Sequence, residues 1–291
     1  MEKRSYLYIL IAASLWGCIG VFLKLLTAAG LSSMESVAVR TALSALLYGL
    51  FLFFTDRQAL KIDPRHWYYF FGTGVCSLLF FSWCYFNTIS LSSMSVAAVL
   101  LYTSPVFVTL LSAAFFKEAL TPAKLGALVL TFCGCVLVTG LFPLGQQSIS
   151  LPAVLFGLGS GFGYALYSIL GKFALAKYSS ATVTFYTFLF TGVFALPLSG
   201  LHRHLTVLTD WRVILGGLGI SVLCCILPYL LYTEGLRHAE AGKAAILATI
   251  EPFVAALLGI AVYREAVTPF KLLGMAAIFS AILLLNRRKK S

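Results

Sequence analysis

The chain has 291 residues, of which 60% are hydrophobic and 11% charged. Its 21 basic and 10 acidic residues leave a net charge of +11. The apolar content confines the chain to a membrane-embedded bundle. The basic residues stand at the ends of apolar blocks, where they anchor helices, so the positive charge does not point to a nucleic-acid partner.

A helix crosses the hydrocarbon core with about 20 mostly apolar residues. Ten blocks of that length follow one another, at 5–27, 34–55, 66–90, 93–116, 122–141, 152–175, 179–198, 211–234, 241–262 and 268–286. The connections are too short for a separate domain. Stretches such as 96–101 do not alternate between apolar and polar residues, which excludes a β-barrel. The first block follows Lys3 and Arg4 but exceeds the 7–15 apolar residues of a signal core, so we expect it to be retained.

Lys and Arg set the orientation. With the N-terminus inside, the inner segments hold 15 basic residues, from Lys3 and Arg4 to Arg287–Lys290. The outer ones hold six: Lys24, Arg40, Arg203, Arg212, Arg264 and Lys271. Both termini are therefore expected in the cytoplasm, and the last basic run anchors against anionic lipid. Seven cysteines, all within the blocks, make no disulfide framework and pack as small apolar groups.

The second half copies the first. Residues 85–125 align without gaps on 232–272 at a shift of 147, pairing Tyr85 with Tyr232, Pro105 with Pro252, Glu118 with Glu265, Thr121-Pro122 with Thr268-Pro269, and Lys124 with Lys271. Each copy holds five spans, an odd number, so the second enters the membrane from the opposite side. The expected fold is an all-α membrane protein of ten transmembrane helices, arranged as two inverted five-helix repeats, 1–145 and 146–291. Such repeats are typical of secondary transporters, whose sites lie near the midplane between them.

Trp16-Gly17 with Lys24, Arg40 in the second span, Pro105 with Glu118, Glu251-Pro252 with Glu265, and Gly163–Tyr167 together resemble the EamA-type members of the drug/metabolite transporter superfamily. The resemblance covers essentially the whole chain. It implies a plasma-membrane location and export more often than uptake. It leaves the cargo open, since such families carry amino acids, nucleosides, metabolites and drugs.

At ~1.5 Å per residue, Trp16, Tyr48, Tyr102, Ser104, Tyr164 and Glu251 fall near mid-depth. They are the candidate substrate-binding residues. Aromatic faces with polar handles suit an amphipathic solute, although plain packing explains any single Tyr equally well. A carboxylate at the bilayer centre costs on the order of 2.5–3.5 kcal/mol, so Glu251 should face the interior, as proton carrier, partner of a substrate amine or structural acceptor. Pro105 and Pro252 lack an N–H and break their helices, freeing the carbonyls of Leu101 and Ala248. Glu234, Lys24 and Arg40 are candidates for coupling or gating. Lys24 and Arg40 either snorkel or pair with Glu35 as an outer gate. Glu118 and Glu265 read as helix-boundary signals before Thr-Pro.

The chain has no His-Glu-x-x-His motif and no Walker-type loop, and its three aspartates all lie in loops. No cofactor or metal is called for; His202-x-His204 reads as a solvated loop. The partners implied are a small-molecule substrate and the lipid bilayer, with a homodimer left open. The leading reading is a secondary transporter of small organic metabolites, amino acids or related aromatic compounds. A membrane enzyme acting on lipid, and a scaffold or receptor without transport, are the alternatives. For the orientation, a cysteine introduced at Gln146 should react with an impermeant label from outside intact cells; labelling only from the cytoplasm would overturn it.

Overall fold

The computed structural model describes residues 2–140 and 149–286. Gln146, the boundary between 145 and 146, and the basic run 287–290 lie outside these. Ten helices follow: α1 (Lys3–Ala28), α2 (Ser33–Thr55), α3 (Pro64–Leu91), α4 (Met94–Phe116), α5 (Pro122–Val138), α6 (Leu151–Leu175), α7 (Ser180–Ser199), α8 (Trp211–His238), α9 (Ala241–Tyr263) and α10 (Pro269–Asn286). Eight are long and apolar enough to cross a membrane, and α5 and α10 are shorter apolar helices. No strand occurs among the described residues.

Hydrocarbon offers backbone groups no hydrogen-bond partner, so a spanning segment satisfies them within a helix. Helix ends are closed by side chains that the sequence supplies in place. Ser32 and Glu35 form a reciprocal capping box on α2, with bonds of 2.7 and 3.3 Å. Ser93, Thr121, Ser150, Ser179 and Asp210 accept from the first turns of α4 to α8.

The repeat is visible in the backbone. Both α3 and α8 contain a π-helical stretch, Gly72–Leu79 and Ile220–Ile226, at corresponding positions. α4 breaks at Tyr102–Thr103 and α9 at Thr249, each just before its proline. The hydroxyls of Thr103 and Thr249 each bond back to a carbonyl three residues earlier, at 2.6 Å. α4 and α9 both end on a left-handed residue, Lys117 (φ 57°) and Arg264 (φ 54°). α1 breaks at Gly17–Cys18, whereas its counterpart α6 runs unbroken. The principal pairings obey the same symmetry: α1 with α8 mirrors α3 with α6, while α2 packs on α7 and α5 on α10.

α5 and α10 approach so closely that side chains are excluded. A Cβ on Gly134 would lie 2.9 Å from the Gly274 carbonyl oxygen and 2.8 Å from Ile278. Gly20, by contrast, has open space beside it. Gly134→Ala should cost about 1–3 kcal/mol by overpacking, read as a lowered Tm in detergent. Gly20→Ala should be neutral or slightly stabilising.

Candidate functional site

The break in α1 sets Trp16 at the centre of the bundle. Opposite it, α6 presents Tyr164 and Tyr167 and α8 presents Tyr229 and Tyr232, each pair three residues apart and so on one helix face. The Trp16 ring lies 6.2 Å from Tyr164 and 5.2 Å from both Tyr229 and Tyr232. With Phe81 and Ser77 these rings enclose a cavity of about 10 Å³, room for about one water molecule. Tyr167 and Tyr232 spend their hydroxyls on structure, in bonds to Thr233 (2.6 Å) and Ser168 (2.8 Å). Trp16 is 6% exposed, yet its Nε1 has no partner.

Glu251 opens the second half of α9, directly after the break. Its backbone oxygen packs against Gly17, where a Cβ would come within 2.9 Å. The side chain makes no ion pair or hydrogen bond with a described residue. Tyr85, Tyr102 and Tyr164 are within electrostatic range of it. Ser104 is buried at the start of the second half of α4. Tyr48 stands apart from this group, buried against Leu52 and Ala59 with Phe185 and Leu230 around it.

The outer gate imagined for Lys24, Arg40 and Glu35 is not formed. Glu35 is taken by its own helix cap and by His204, at 2.7 Å. Lys24 sits 3.1 Å above the Tyr263 ring. Arg40 points inward, 3.5 Å from the Ser82 hydroxyl. Glu234 accepts a short bond from the Ser180 hydroxyl, which ties α8 to the start of α7.

The largest departure from expectation is Glu118. Far from merely ending a helix, it joins the two halves. Its carboxylate accepts from Lys172 (2.9 Å) and from the backbone amides of Ala241 (2.7 Å) and Gly242 (3.1 Å) at the start of α9. Fully buried Lys124 lies 3.6 Å from Glu118 and 2.5 Å from Glu240, which also pairs with Lys243 at 3.0 Å. Burial alone would raise the carboxyl pKa of Glu118. Lys172 and the two amides outweigh burial and hold it below the usual carboxylate range. Glu240 is likewise held low, by Lys124 and Lys243 against its own burial.

Sequence offered partial signals for what was overlooked. Tyr232 is marked by the repeat, as partner of Tyr85, and Tyr229 only by its spacing three residues before it. Glu118 differs from an ordinary capping acid only in lying between Lys117 and Lys124. Its partners Ala241 and Gly242 are more than 120 residues away, and nothing local reveals them.

A ten-helix inverted repeat around a closed aromatic chamber, with an unpaired carboxylate at a helix break, is the architecture of a membrane transporter. The chain belongs to the EamA-like transporter family, which it matches twice, at residues 3–140 and 151–287. It is 30% identical over 200 residues to an uncharacterised transporter of Archaeoglobus fulgidus, covering 69% of this chain and 70% of that one. It is 28% identical over 247 residues to the threonine/homoserine exporter RhtA of Escherichia coli K12, covering 84% and 78%. A solved crystal structure superposes with a TM-score of 0.84 over 98% of this chain and 97% of its own, at 16% identity, which supports the fold.

Both carboxylates titrate below their unfolded value of about 4.3. Their stabilisation is therefore fully present at neutral pH and is lost as pH falls through the lowered folded values. Removing one partner of a buried pair costs about 3–5 kcal/mol. Glu118→Gln should lower Tm at pH 7 and flatten the loss of Tm between pH 6 and pH 3.5; an unchanged acid profile would show that this cluster carries no stability.

Proposed function

We propose that this chain is a secondary transporter of amino acids or related amphipathic metabolites, working by alternating access between its halves, 1–145 and 146–291, in the export direction. The plasma membrane and cytoplasmic termini complete the reading. The one observation that carries it is a lock made on one side and open on the other.

At the basic end of the bundle, Phe116, Glu118, Lys124 and Lys172 form the closed cluster. The repeat places Tyr263, Glu265 and Lys271 at the other end, at a shift of 147. A shift of 148 pairs Tyr164 with Trp16 and Lys172 with Lys24. The likeness extends to contacts. Lys24 lies over Tyr263 as Lys172 lies near Phe116, 5.1 Å from that ring. Lys271 pairs with Glu265 at 2.9 Å. Yet Glu265 is 52% exposed and makes no bond to α4, whose Met94 and Ser95 correspond to Ala241 and Gly242. Glu118 thus closes the basic end, while its counterpart is bonded only within its own half. In the opposite state Glu118 releases Lys172 and α9, and Glu265 takes Lys24 and the first amides of α4. The halves exchange roles because their sequences repeat.

Inside, Trp16, Tyr102 and Tyr164 receive the apolar part of the cargo, and Ser104 adds a hydroxyl. Glu251 takes up a proton or holds the cargo amine. The similarity to an exporter named for threonine and homoserine supports the amino-acid class.

Purified protein in liposomes should carry solute without chemical turnover. Trp16→Ala and Tyr102→Ala should weaken apparent affinity while leaving folded protein intact; loss of folding alone would return them to packing. Glu251→Gln should abolish pH-gradient-driven flux and leave exchange partly intact if it is the proton carrier. In a background free of native cysteines, Ser112→Cys, buried under the lock, should gain labelling from the basic end when combined with Glu118→Gln. Equal protection with and without Glu118 would remove the lock from the mechanism.

A further inference from the structure

The interior holds two opposite charges that do not meet. Arg40 lies on α2, seven residues after Ser33, and so ~10 Å below that end of the bundle. Its backbone carbonyl accepts from the Ser44 and Ser221 hydroxyls (2.6 and 3.1 Å), which pins it against the π-helical stretch of α8. π-Helical turns of this kind are frequent at functional sites. The guanidinium has five N–H donors. It spends one on Ser82, at a long 3.5 Å, and its Nε is buried without a partner. No carboxylate of a described residue lies within 4.0 Å of it. Glu251 is equally without a counter-ion, ~18 Å below the same end by its twelve residues to Tyr263. Unpaired charges at membrane depth are costly and mark functional sites by default.

Neither lines the cavity itself, but both flank the aromatic residues that do. Tyr229 and Cys224 lie within electrostatic range of both Arg40 and Glu251. Tyr229 is also 5.2 Å from Trp16, whose buried Nε1 is a second orphan donor beside Arg40 Nε. The break after Trp16 packs on the Glu251 backbone. Donors at Arg40 and Trp16 Nε1 and an acceptor at Glu251 therefore flank the same group of rings. Counted along their helices, the backbones of Arg40 and Glu251 differ in depth by roughly 8 Å. An α-amino acid carries its ammonium and carboxylate roughly 3 Å apart across one Cα.

We propose that Arg40, with Trp16 Nε1, binds the carboxylate of a zwitterionic α-amino acid whose ammonium is held by Glu251. Arg40 is thus a substrate-binding residue that selects for the free acid. This rests on the transport reading above and deepens it, by requiring both charges of the cargo at once. Guanidinium suits the task, since its planar fork matches a carboxylate in two parallel bonds. The cavity of about 10 Å³ is the contracted form, and it widens to admit the solute.

The test is competition for efflux from proteoliposomes loaded with labelled L-threonine or L-phenylalanine. The competitors are the same amino acid, its amide (no carboxylate) and its 2-hydroxy acid (no ammonium). Wild type should prefer the amino acid at least tenfold over both analogues. Arg40→Gln should lose its discrimination against the amide and keep its discrimination against the hydroxy acid. Glu251→Gln should do the reverse. That crossed pattern is what a merely structural role for either residue does not produce. Where Arg40→Gln yields no folded protein, Arg40→Lys keeps the charge without the fork, and should weaken the amino acid at least tenfold relative to its amide. An unchanged ratio of amino acid to amide in the Arg40 variants overturns the proposal. So does wild-type transport of the amide as readily as the amino acid, although that outcome leaves the transport reading standing. If no solute crosses in a wider metabolite screen, the transport reading itself falls.

Discussion

Everything in this bundle depends on the absence of hydrogen-bonding solvent around it. A polar group at membrane depth has only the protein to bond with, or the interior water the protein admits. Most of the chain meets this constraint by staying helical and by returning Ser and Thr hydroxyls to carbonyls one turn back, as Thr41, Thr88 and Thr191 do. The few places that do not comply are therefore informative. Among them are the break in α1, the breaks in α4 and α9, the two π-helical stretches, and the orphan polar atoms of Trp16 and Arg40. Trp16 and the π-helical stretch of α3 line the central chamber.

The same constraint explains why Glu118 holds so many partners. A buried carboxylate is stable only when its charge is met from several directions. Glu118 draws on a lysine of α6, a lysine of α5 and the first amides of α9, where the helix dipole favours an anion. It thereby makes one end of the bundle a joint between the halves. Glu265 has the same neighbours in its own half but reaches nothing across the interface, and it stays exposed. Two copies of one sequence thus occupy different environments, which a rigid symmetric scaffold would not require.

The chamber shows a division of labour among its aromatic rings. Tyr167 and Tyr232 are committed to bonds between α6 and α8, and Tyr48 belongs to a separate packing cluster. Trp16, Tyr164 and Tyr229 line the cavity, and the two tyrosines lie within electrostatic range of Glu251. Rings of the first kind tie the two helices of the wall together. The small volume follows from close packing of these rings.

Much of the architecture was legible in the chain itself. Blocks of about 20 apolar residues admit only spanning helices, and the recurrence of Pro, Glu-Ala-x-Thr-Pro and Lys at a shift of 147 reveals the inverted halves. The prolines locate the breaks, because a missing N–H acts locally. Trp16 and Glu251 also stand out from sequence, since depth along a helix is a matter of counting. Rotation about the helix axis and contact across it are not. They decided that Arg40 turns inward and not toward Glu35, that Tyr48 leaves the chamber, and that Glu118 reaches Lys172 and α9. Those outcomes depend on which faces meet when ten helices pack, and packing joins residues that no local pattern connects.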